Sequence, residues 1–444
     1  MTSEWQTLPI GEIGKVVTGK TPSTAVDHYY GCDYPFYTPS DMDGRKRLES
    51  TKRSLSTEGI NSIRGSIIEA GAVMVSCIGS DMGKVAIAAS KGATNQQINT
   101  ILVSQGFDPE YIYYELLTRK DELQMLATGG SAQPILNKGN FCQIEICVPP
   151  LPEQRAIAHI LGTLDDKIEL NRSTNETLEA MAKALFKSWF VDFDPVRAKA
   201  EGRSTGLPDE ISDLFPDSFE ESELGEIPKG WAIASLGEIL DVDKGVSYKG
   251  DFLSDSEGLP MVNLGCFAGG GVFREEKMKF YAGEYRERHL ASAGDLLIAN
   301  TDMTQNRIIL GAPIVVPPWK GMSKFLFSHH TFAVRFRRSK TTLTRFIYFT
   351  LLKPSFRQVA AGHATGTTVL ALPKDGVTDY QTVIPPSEIL EIFALKVDGL
   401  FRKCHLAIEQ NTVVARIRDT LLPKLISGEL RIPDAEKLLE DAGL

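Results

Sequence analysis

Long apolar runs are missing from this sequence. No uninterrupted stretch approaches the ~20 residues a membrane span requires. Met1-Thr2-Ser3-Glu4-Trp5 has neither a basic opening nor an apolar core, so no secretory leader and no membrane association are expected. Cysteine is scarce. The six residues Cys32, Cys77, Cys142, Cys147, Cys266 and Cys404 are scattered and form no CxxC pair, which argues against a zinc ribbon or a dithiol redox motif. They read as reduced, largely buried thiols of a cytoplasmic protein. A basic surplus is missing too: the formal net charge is −9, which taken alone counts against a nucleic-acid binder.

Catalytic constellations are equally scarce. The sequence has no [ND]PP[YF] motif, because Pro149-Pro150 lies between Val148 and Leu151 and cannot place an amide and an aromatic ring around a flipped base. No GxGxxG follows a strand pattern, and no paired carboxylates stand with a lysine in nuclease fashion. His329-His330 and His363 lack metal-ligand spacing. One motif misleads. Gly14 to Thr21 spells GxxxxGK[ST] letter for letter, but Pro22-Ser23-Thr24 is a poor helix start, and a phosphate-cradling loop must open a helix at its lysine. Nucleotide binding is not expected here, and a chain of this size without catalytic residues points to a binding module.

What is present is a repeat. The chain has 444 residues, 42% apolar and 24% charged, enough for two to four globular domains. Trp5, Gly11, Glu12 and Ile13 recur as Trp231, Gly237, Glu238 and Ile239, and Gly19 recurs as Gly245, all at an offset of 226. Lys20 and Thr21 become Val246 and Ser247, so the glycine is the structural part of that match. Ser80-Asp81-Met82 parallels Thr301-Asp302-Met303 at an offset of 221. Leu136 and Lys138 match Leu372 and Lys374, and Pro149-Pro150 matches Pro385-Pro386, at an offset of 236. Ordered landmarks with drifting offsets indicate a duplicated unit whose loops differ in length.

Each copy ends in a long helical pattern after its double proline. Ile157, Leu161, Leu164, Ile168, Asn171, Asn175, Leu178, Ala182, Leu185 and Trp189 step by four and three throughout. So do Leu390, Ala394, Val397, Phe401, Cys404, Ile408, Asn411, Ala415, Arg418, Leu422 and Leu425. Sustained heptads predict a coiled coil, with each helix the other's partner. Asn171, Asn175 and Asn411 would fix its register. Before each helix, short apolar runs bounded by Gly, Asn, Asp and Ser predict strands at 72–78, 99–103, 295–299 and 331–336. Helices are predicted over 109–125 and 343–359. The expected fold class is α+β: two mixed, mostly β domains separated by two long helices in a pseudo-two-fold repeat. The expected boundaries are 1–150, helix 151–190, linker 191–230, 231–386, helix 387–427 and tail 428–444.

The charge is uneven. Residues 191–230 hold 4 basic against 11 acidic side chains, a balance of −7, and read as a solvated linker. Residues 231–386 hold 18 against 14, a balance of +4. Local basic clusters, Arg45-Lys46-Arg47 with Lys52-Arg53, then Arg274, Lys277, Lys279, Arg286 and Arg288, then Arg335, Arg337 and Arg338, could neutralise phosphates.

Four stretches carry a family resemblance, three central and one C-terminal. Pro149-Pro150-Leu151-Pro152-Glu153-Gln154-Arg155-Ala156-Ile157-Ala158 is followed by Leu164-Asp165-Asp166-Lys167-Ile168. Next comes the run from Ala182 through Trp189-Phe190-Val191-Asp192-Phe193-Asp194-Pro195 to Val196. Together they resemble the central conserved region of specificity subunits of type I restriction–modification systems. Leu421-Leu422-Pro423-Lys424-Leu425-Ile426-Ser427-Gly428-Glu429-Leu430 resembles their C-terminal conserved region. The second copy departs from the first, with Ser387-Glu388-Ile389-Leu390 in place of Leu151-Pro152-Glu153-Gln154.

The resemblance implies two target-recognition domains, each reading one half of a bipartite double-stranded DNA sequence, on an antiparallel helical spacer. It implies two modification (methyltransferase) subunits docked on the helices, which flip and methylate an adenine in each half-site, and restriction subunits that translocate and cleave. This chain would be non-catalytic and hold no cofactor; S-adenosylmethionine, ATP and Mg would belong to the partners. A coiled-coil adaptor that reads no DNA, or a self-contained DNA methyltransferase or nuclease, is the competing reading.

Major-groove reading needs Arg or Lys toward guanine and Asn or Gln toward adenine, with phosphate contacts beside them. In the first copy the candidate DNA-binding residues are Arg45, Lys46, Arg47 and Lys52; Ser80, with Asp81, and Lys84 after a strand; Gln96 and Gln97 beside Asn99; and Gln133 in the Gly129-Gly130-Ser131-Ala132 loop. In the second they are Lys277, Asn300, Thr301, Gln305, Asn306, Arg307, His330 with His329, and Thr367 within Thr365-Gly366-Thr367-Thr368.

Overall fold

The computed structural model describes residues 5–127, 134–303, 307–337, 340–367 and 369–443. Its contacts divide the chain into two compact units, one of residues 1–173 with 407–444 and one of residues 174–406. Two helices of 40 residues, Leu151–Phe190 and Ser387–Ile426, each give one half to either unit. No helix among the described residues is long and apolar enough to cross a membrane.

In the first unit the strand Gln6–Pro9 pairs antiparallel with Glu145–Val148, closing the β domain at its ends. A five-stranded sheet runs in the order Gly14–Thr18, Ile98–Val103, Val73–Ser76, Val85–Ala88, Arg47–Leu48. A second five-stranded sheet contains Tyr34–Tyr37 beside Gly92–Thr94. Val73–Ser76 is buried along its whole length, which explains why 72–78 reads as a continuous apolar run rather than an alternating one; Val85–Ala88 beside it, a strand the sequence reading did not mark, is buried in the same way. The helix expected over 109–125 breaks at Thr118–Arg119 into Pro109–Leu117 and Lys120–Met125. Its Tyr111, Tyr114 and Leu116 join a core that also contains Ile157, Leu161, Leu164, Ile168, Leu422 and Leu425 from the long helices.

The second unit repeats this plan. Ala232–Ser235 pairs with Gln381–Ile384, and a sheet runs Leu240–Lys244, Thr331–Phe336, Leu296–Ala299, Pro313–Val315. Pro354 splits the expected 343–359 helix into Lys340–Leu352 and Pro354–His363 by removing a backbone donor.

Within each unit the helical halves run antiparallel. In the first, Asn171 Nδ2 donates to Gln410 Oε1 (3.0 Å) and Asn411 Oδ1 (2.8 Å), and Asn411 Nδ2 donates to the Ile168 carbonyl at 3.2 Å. In the second, Cys404 packs on the Asn175 carbonyl, and Phe186, Trp189 and Phe190 surround Phe393. The heptad seam departs from its expected course at Ile408, which is exposed; Val414 is buried instead.

Residues 191–230 are more than a tether. Asp194–Ala200 is helical, Phe219–Ser222 and Gly225–Pro228 form a hairpin, and Val196, Phe215 and Phe219 pack into the aromatic core of the second unit. The acidic side chains Glu210, Asp213, Asp217, Glu220, Glu221, Glu223 and Glu226 all face solvent. Charge identified the solvated face, but the interleaved apolar residues that anchor the segment were outweighed in that reading.

Candidate nucleic-acid interface

The same backbone hydrogen bonds build one edge of each β domain. In the first, the amide of Cys77 donates to the Gln97 carbonyl (2.7 Å), Leu136 to Cys77 (2.9 Å), Gly19 to Ile98 (3.1 Å) and Lys20 to Thr94 (2.9 Å). In the second, Asn300 donates to His330 (3.0 Å), Leu372 to Asn300 (2.7 Å), Gly245 to Thr331 (3.2 Å) and Val246 to Phe327 (2.8 Å). This lattice equates Cys77 with Asn300, Leu136 with Leu372, and Gln96-Gln97 with His329-His330. It corrects one sequence landmark: Thr301 bridges Ala371 as Ile78 bridges Ile135, so Thr301 corresponds to Ile78 and not to Ser80.

Gly19 and Gly245 hold equivalent places because a side chain would not fit. A Cβ would lie 2.0 Å from the Asn95 carbonyl oxygen at Gly19 and 2.2 Å from that of Phe327 at Gly245. Gly14–Thr18 is a strand, and no helix begins at Lys20, so the apparent phosphate loop is a strand exit.

The candidates fall into three groups. Lys46 is corrected: it is buried, with Nζ between Glu110 (3.2 Å) and Asp166 (3.0 Å), the latter on the first long helix. Arg47 pairs with the same Glu110, and Arg45 pairs with Asp43 (3.3 Å) and Glu169 (3.7 Å). This basic run faces carboxylates of its own unit and serves as a joint between domain and helix. Asn99, Asn300 and Thr301 are also corrected. All three are buried; Asn99 accepts from Thr18 Oγ1, and the other two bond each other. Being buried at strand ends, they must satisfy partners within the protein.

A second group does assemble at the edge. Gln96 and Gln97 lie beside Thr21, whose hydroxyl donates to Gln96 Oε1 at 2.6 Å. Lys84 Nζ reaches Asp81 (2.9 Å) and the Pro39 carbonyl (3.2 Å), and Lys52 Nζ reaches the Ser40 carbonyl at 3.0 Å. The loops 38–41 and 79–84 therefore meet, with Ser80 exposed between them. In the second domain His330, Arg307, Lys277 and Thr367 are half-buried or exposed. Arg307 has a left-handed backbone (φ 51°) in a loop held by Asp302, which accepts from the amides of Ile309 and Leu310, and by Arg357, which donates to the carbonyls of Arg307, Ile308 and Leu310. Arg335, expected in a phosphate-binding cluster, bonds Asp243 and the Arg288 and Leu290 carbonyls. The third group, Gln133 with its glycine-rich loop, Gln305, Asn306, Thr368 and Arg338, lies outside the described residues.

Sequence reasoning missed Thr21, the 38–41 turn, and Tyr248, whose ring lies 5.7 Å from that of His329. The Gly19–Gly245 match was the available signal for the segments holding Thr21 and Tyr248. Burial first, then the neighbouring His329 and Lys244, lower the pKa of His330; burial and Lys244 do the same for His329.

Two homologous β domains, each with a polar loop edge and each backed by paired helices, define a tandem-domain recognition protein. Residues 2–180 match the family described as the type I restriction modification DNA specificity domain. The chain is 28% identical over 442 residues to the MjaIX type I restriction enzyme specificity subunit of Methanocaldococcus jannaschii, covering 97% of this chain and 94% of that one. It is 28% identical over 362 residues to the HindI specificity subunit of Haemophilus influenzae, covering 72% and 77%. Its fold matches the crystal structure of a type I restriction–modification S subunit from M. genitalium, with a TM-score of 0.57 at 16% identity over 96% of each chain. Residues 2–180 thus carry the domain of that family, and the chain as a whole is similar to specificity subunits of type I restriction–modification systems.

Proposed function

We propose that this chain recognises a bipartite double-stranded DNA sequence, one half with each β domain, and scaffolds two modification subunits and the restriction subunits. The observation that carries this reading is the duplicated hydrogen-bond lattice. It sets polar side chains, Gln96-Gln97 and His329-His330, at the same place on two domains of one chain. Two readers covalently joined call for two half-sites.

Exposed apolar side chains on the long helices, Leu170, Leu395 and Leu406, support protein partners there. The chemistry is assigned to those partners, with S-adenosylmethionine on the modification subunits and ATP and Mg on the restriction subunits. Competing readings, an adaptor that ignores DNA or a self-contained enzyme, lack a comparable supporting feature.

The test is to coexpress the chain with its modification subunit and map methylated adenines genome-wide. A bipartite motif with an unread centre is expected; a continuous motif, or none, overturns the proposal. Exchange of residues 1–150 for another recognition domain should alter one half of the motif and leave the other intact.

A further inference from the structure

The two glutamines of the first domain and His330 of the second occupy equivalent places, but their hydrogen-bonding groups are committed in opposite senses. Gln97 Oε1 accepts from Asn95 Nδ2 at 2.8 Å, while Asn95 Oδ1 accepts the Gln97 amide at 3.1 Å. Gln96 Oε1 accepts from the Thr21 hydroxyl at 2.6 Å. Both carbonyl oxygens are thereby used within the protein. Among the described residues neither Nε2 group has a partner, so what each glutamine offers outward is a pair of N–H donors.

At the second edge a chain of bonds fixes the opposite polarity. Asn300 Nδ2 donates to the His329 carbonyl at 3.1 Å, which orients the amide and turns Oδ1 toward Thr301. The Thr301 hydroxyl donates its only hydrogen to that Oδ1 at 2.8 Å. Its oxygen, 3.2 Å from His330 Nδ1, therefore accepts from Nδ1–H. A neutral imidazole protonated at Nδ1 carries a lone pair on Nε2. Nε2 of His330 has no hydrogen-bond partner among the described residues, and the ring is held against that of His329 with centroids 3.9 Å apart. The second edge thus offers an acceptor where the first offers donors.

Resting on the DNA-reading role, we propose that Gln97 and His330 are specificity-determining residues of opposite polarity: Gln97 selects a keto base (guanine or thymine) on the strand it contacts, and His330 selects an amino base (cytosine or adenine). The major-groove edge supplies the chemistry. The discriminating group is the exocyclic one: guanine O6 and thymine O4 accept there, while cytosine N4 and adenine N6 donate, and the N7 acceptor common to both purines does not separate the classes. Asn95 and Thr21 in the first domain, and Asn300 and Thr301 in the second, are positioning residues. They hold one end of the reader so that only the other is free.

The test uses the full chain coexpressed with its modification subunit, with genomic methylation motifs as readout, for the wild type, Gln97→Glu and His330→Phe. Gln97→Glu keeps the acceptor for Asn95 and replaces the outward donors by an acceptor. It should convert one keto position of the first half-site to an amino base, leaving the second half-site as an internal control of folding. His330→Phe keeps the ring and removes the acceptor, and should relax one amino position of the second half-site by roughly ten-fold. Thr301→Val, which frees the imidazole to turn, should relax the same position. Thermal melts identify any variant that fails to fold, and His330→Asn then replaces His330→Phe and Gln97→Met replaces Gln97→Glu, each with relaxation expected at the same position. If the wild type yields no bipartite motif, the DNA-reading role fails. If it yields one that the folded variants leave unchanged, or change toward the opposite base class, the role stands and the polarity assignment falls.

Discussion

The Arg418 guanidinium on the second long helix donates to Asp165 Oδ1 on the first at 2.6 Å, and the Tyr114 hydroxyl of the N-terminal β domain donates to Oδ2 of the same carboxylate at 2.6 Å. One buried aspartate thereby ties two helices and a domain within the first unit. Burial, then the Asp165 carboxylate, push the Tyr114 hydroxyl well above its ordinary pKa, so it remains a donor at every working pH.

Removing one partner of this set should cost more than removing both. Arg418→Ala leaves Asp165 buried with a single neutral donor, and a loss of roughly 3 kcal/mol is expected. Adding Asp165→Leu should recover part of that loss. Denaturant unfolding of the double-mutant cycle measures the coupling. Strictly additive losses would contradict the ionic tie.

Gly19→Ala and Gly245→Ala should each destabilise their own domain by about 3 kcal/mol, because the new methyl group meets a carbonyl oxygen of a neighbouring strand. Lys20→Ala should leave stability unchanged and ATP binding absent before and after. Nucleotide binding by the wild type in a titration would revive the phosphate-loop reading.

Salt dependence separates the basic residues. Lys52→Ala removes an exposed edge cation, and the slope of log affinity for target DNA against log salt should fall by about 0.9. Lys46→Met should leave that slope unchanged and lower thermal stability instead, since Lys46 is bound to Glu110 and Asp166.

Mild acid should loosen the second domain. His289, His329 and His330 all have folded-state pKa values below the ordinary 6.5. Burial is the leading cause for each, joined by Arg288 and Arg286 at His289 (Asp243 opposing), by Lys244 at His329, and by His329 and Lys244 at His330. The unfolded chain then takes up protons first as pH falls. The stabilising contribution is complete above about pH 6.5 and is lost as pH drops through the folded values. Amide exchange in Leu296–Ala299 and Thr331–Phe336, corrected for its intrinsic rate, should be faster at pH 5.5 than at 7.5. Equal protection at both would refute the linkage.

The long helices were legible in the sequence, Ile408 apart, because a four-three apolar spacing is a local property. Ile157, Leu161, Leu164 and Ile168 are buried as that spacing requires. The strand runs 72–78 and 295–299 were legible for a related reason: their strands Val73–Ser76 and Leu296–Ala299 are buried on both faces and nearly all apolar. The basic run was misread because Glu110 and Asp166 stand 64 and 120 residues from Lys46, and no spacing rule brings them to it. The connector was misread because counting charge weighs Glu220 and Phe219 by number, while packing weighs them by burial.

By itself, then, the sequence determined the duplication and the two heptad helices, since each follows from residue type and spacing along the chain. Only the tertiary structure decided which polar groups are left to act. Whether Gln97 offers donors, His330 an acceptor, or Lys46 nothing at all depends on which of their hydrogen-bonding groups are already taken by partners that folding, not sequence distance, brings within 3 Å or so.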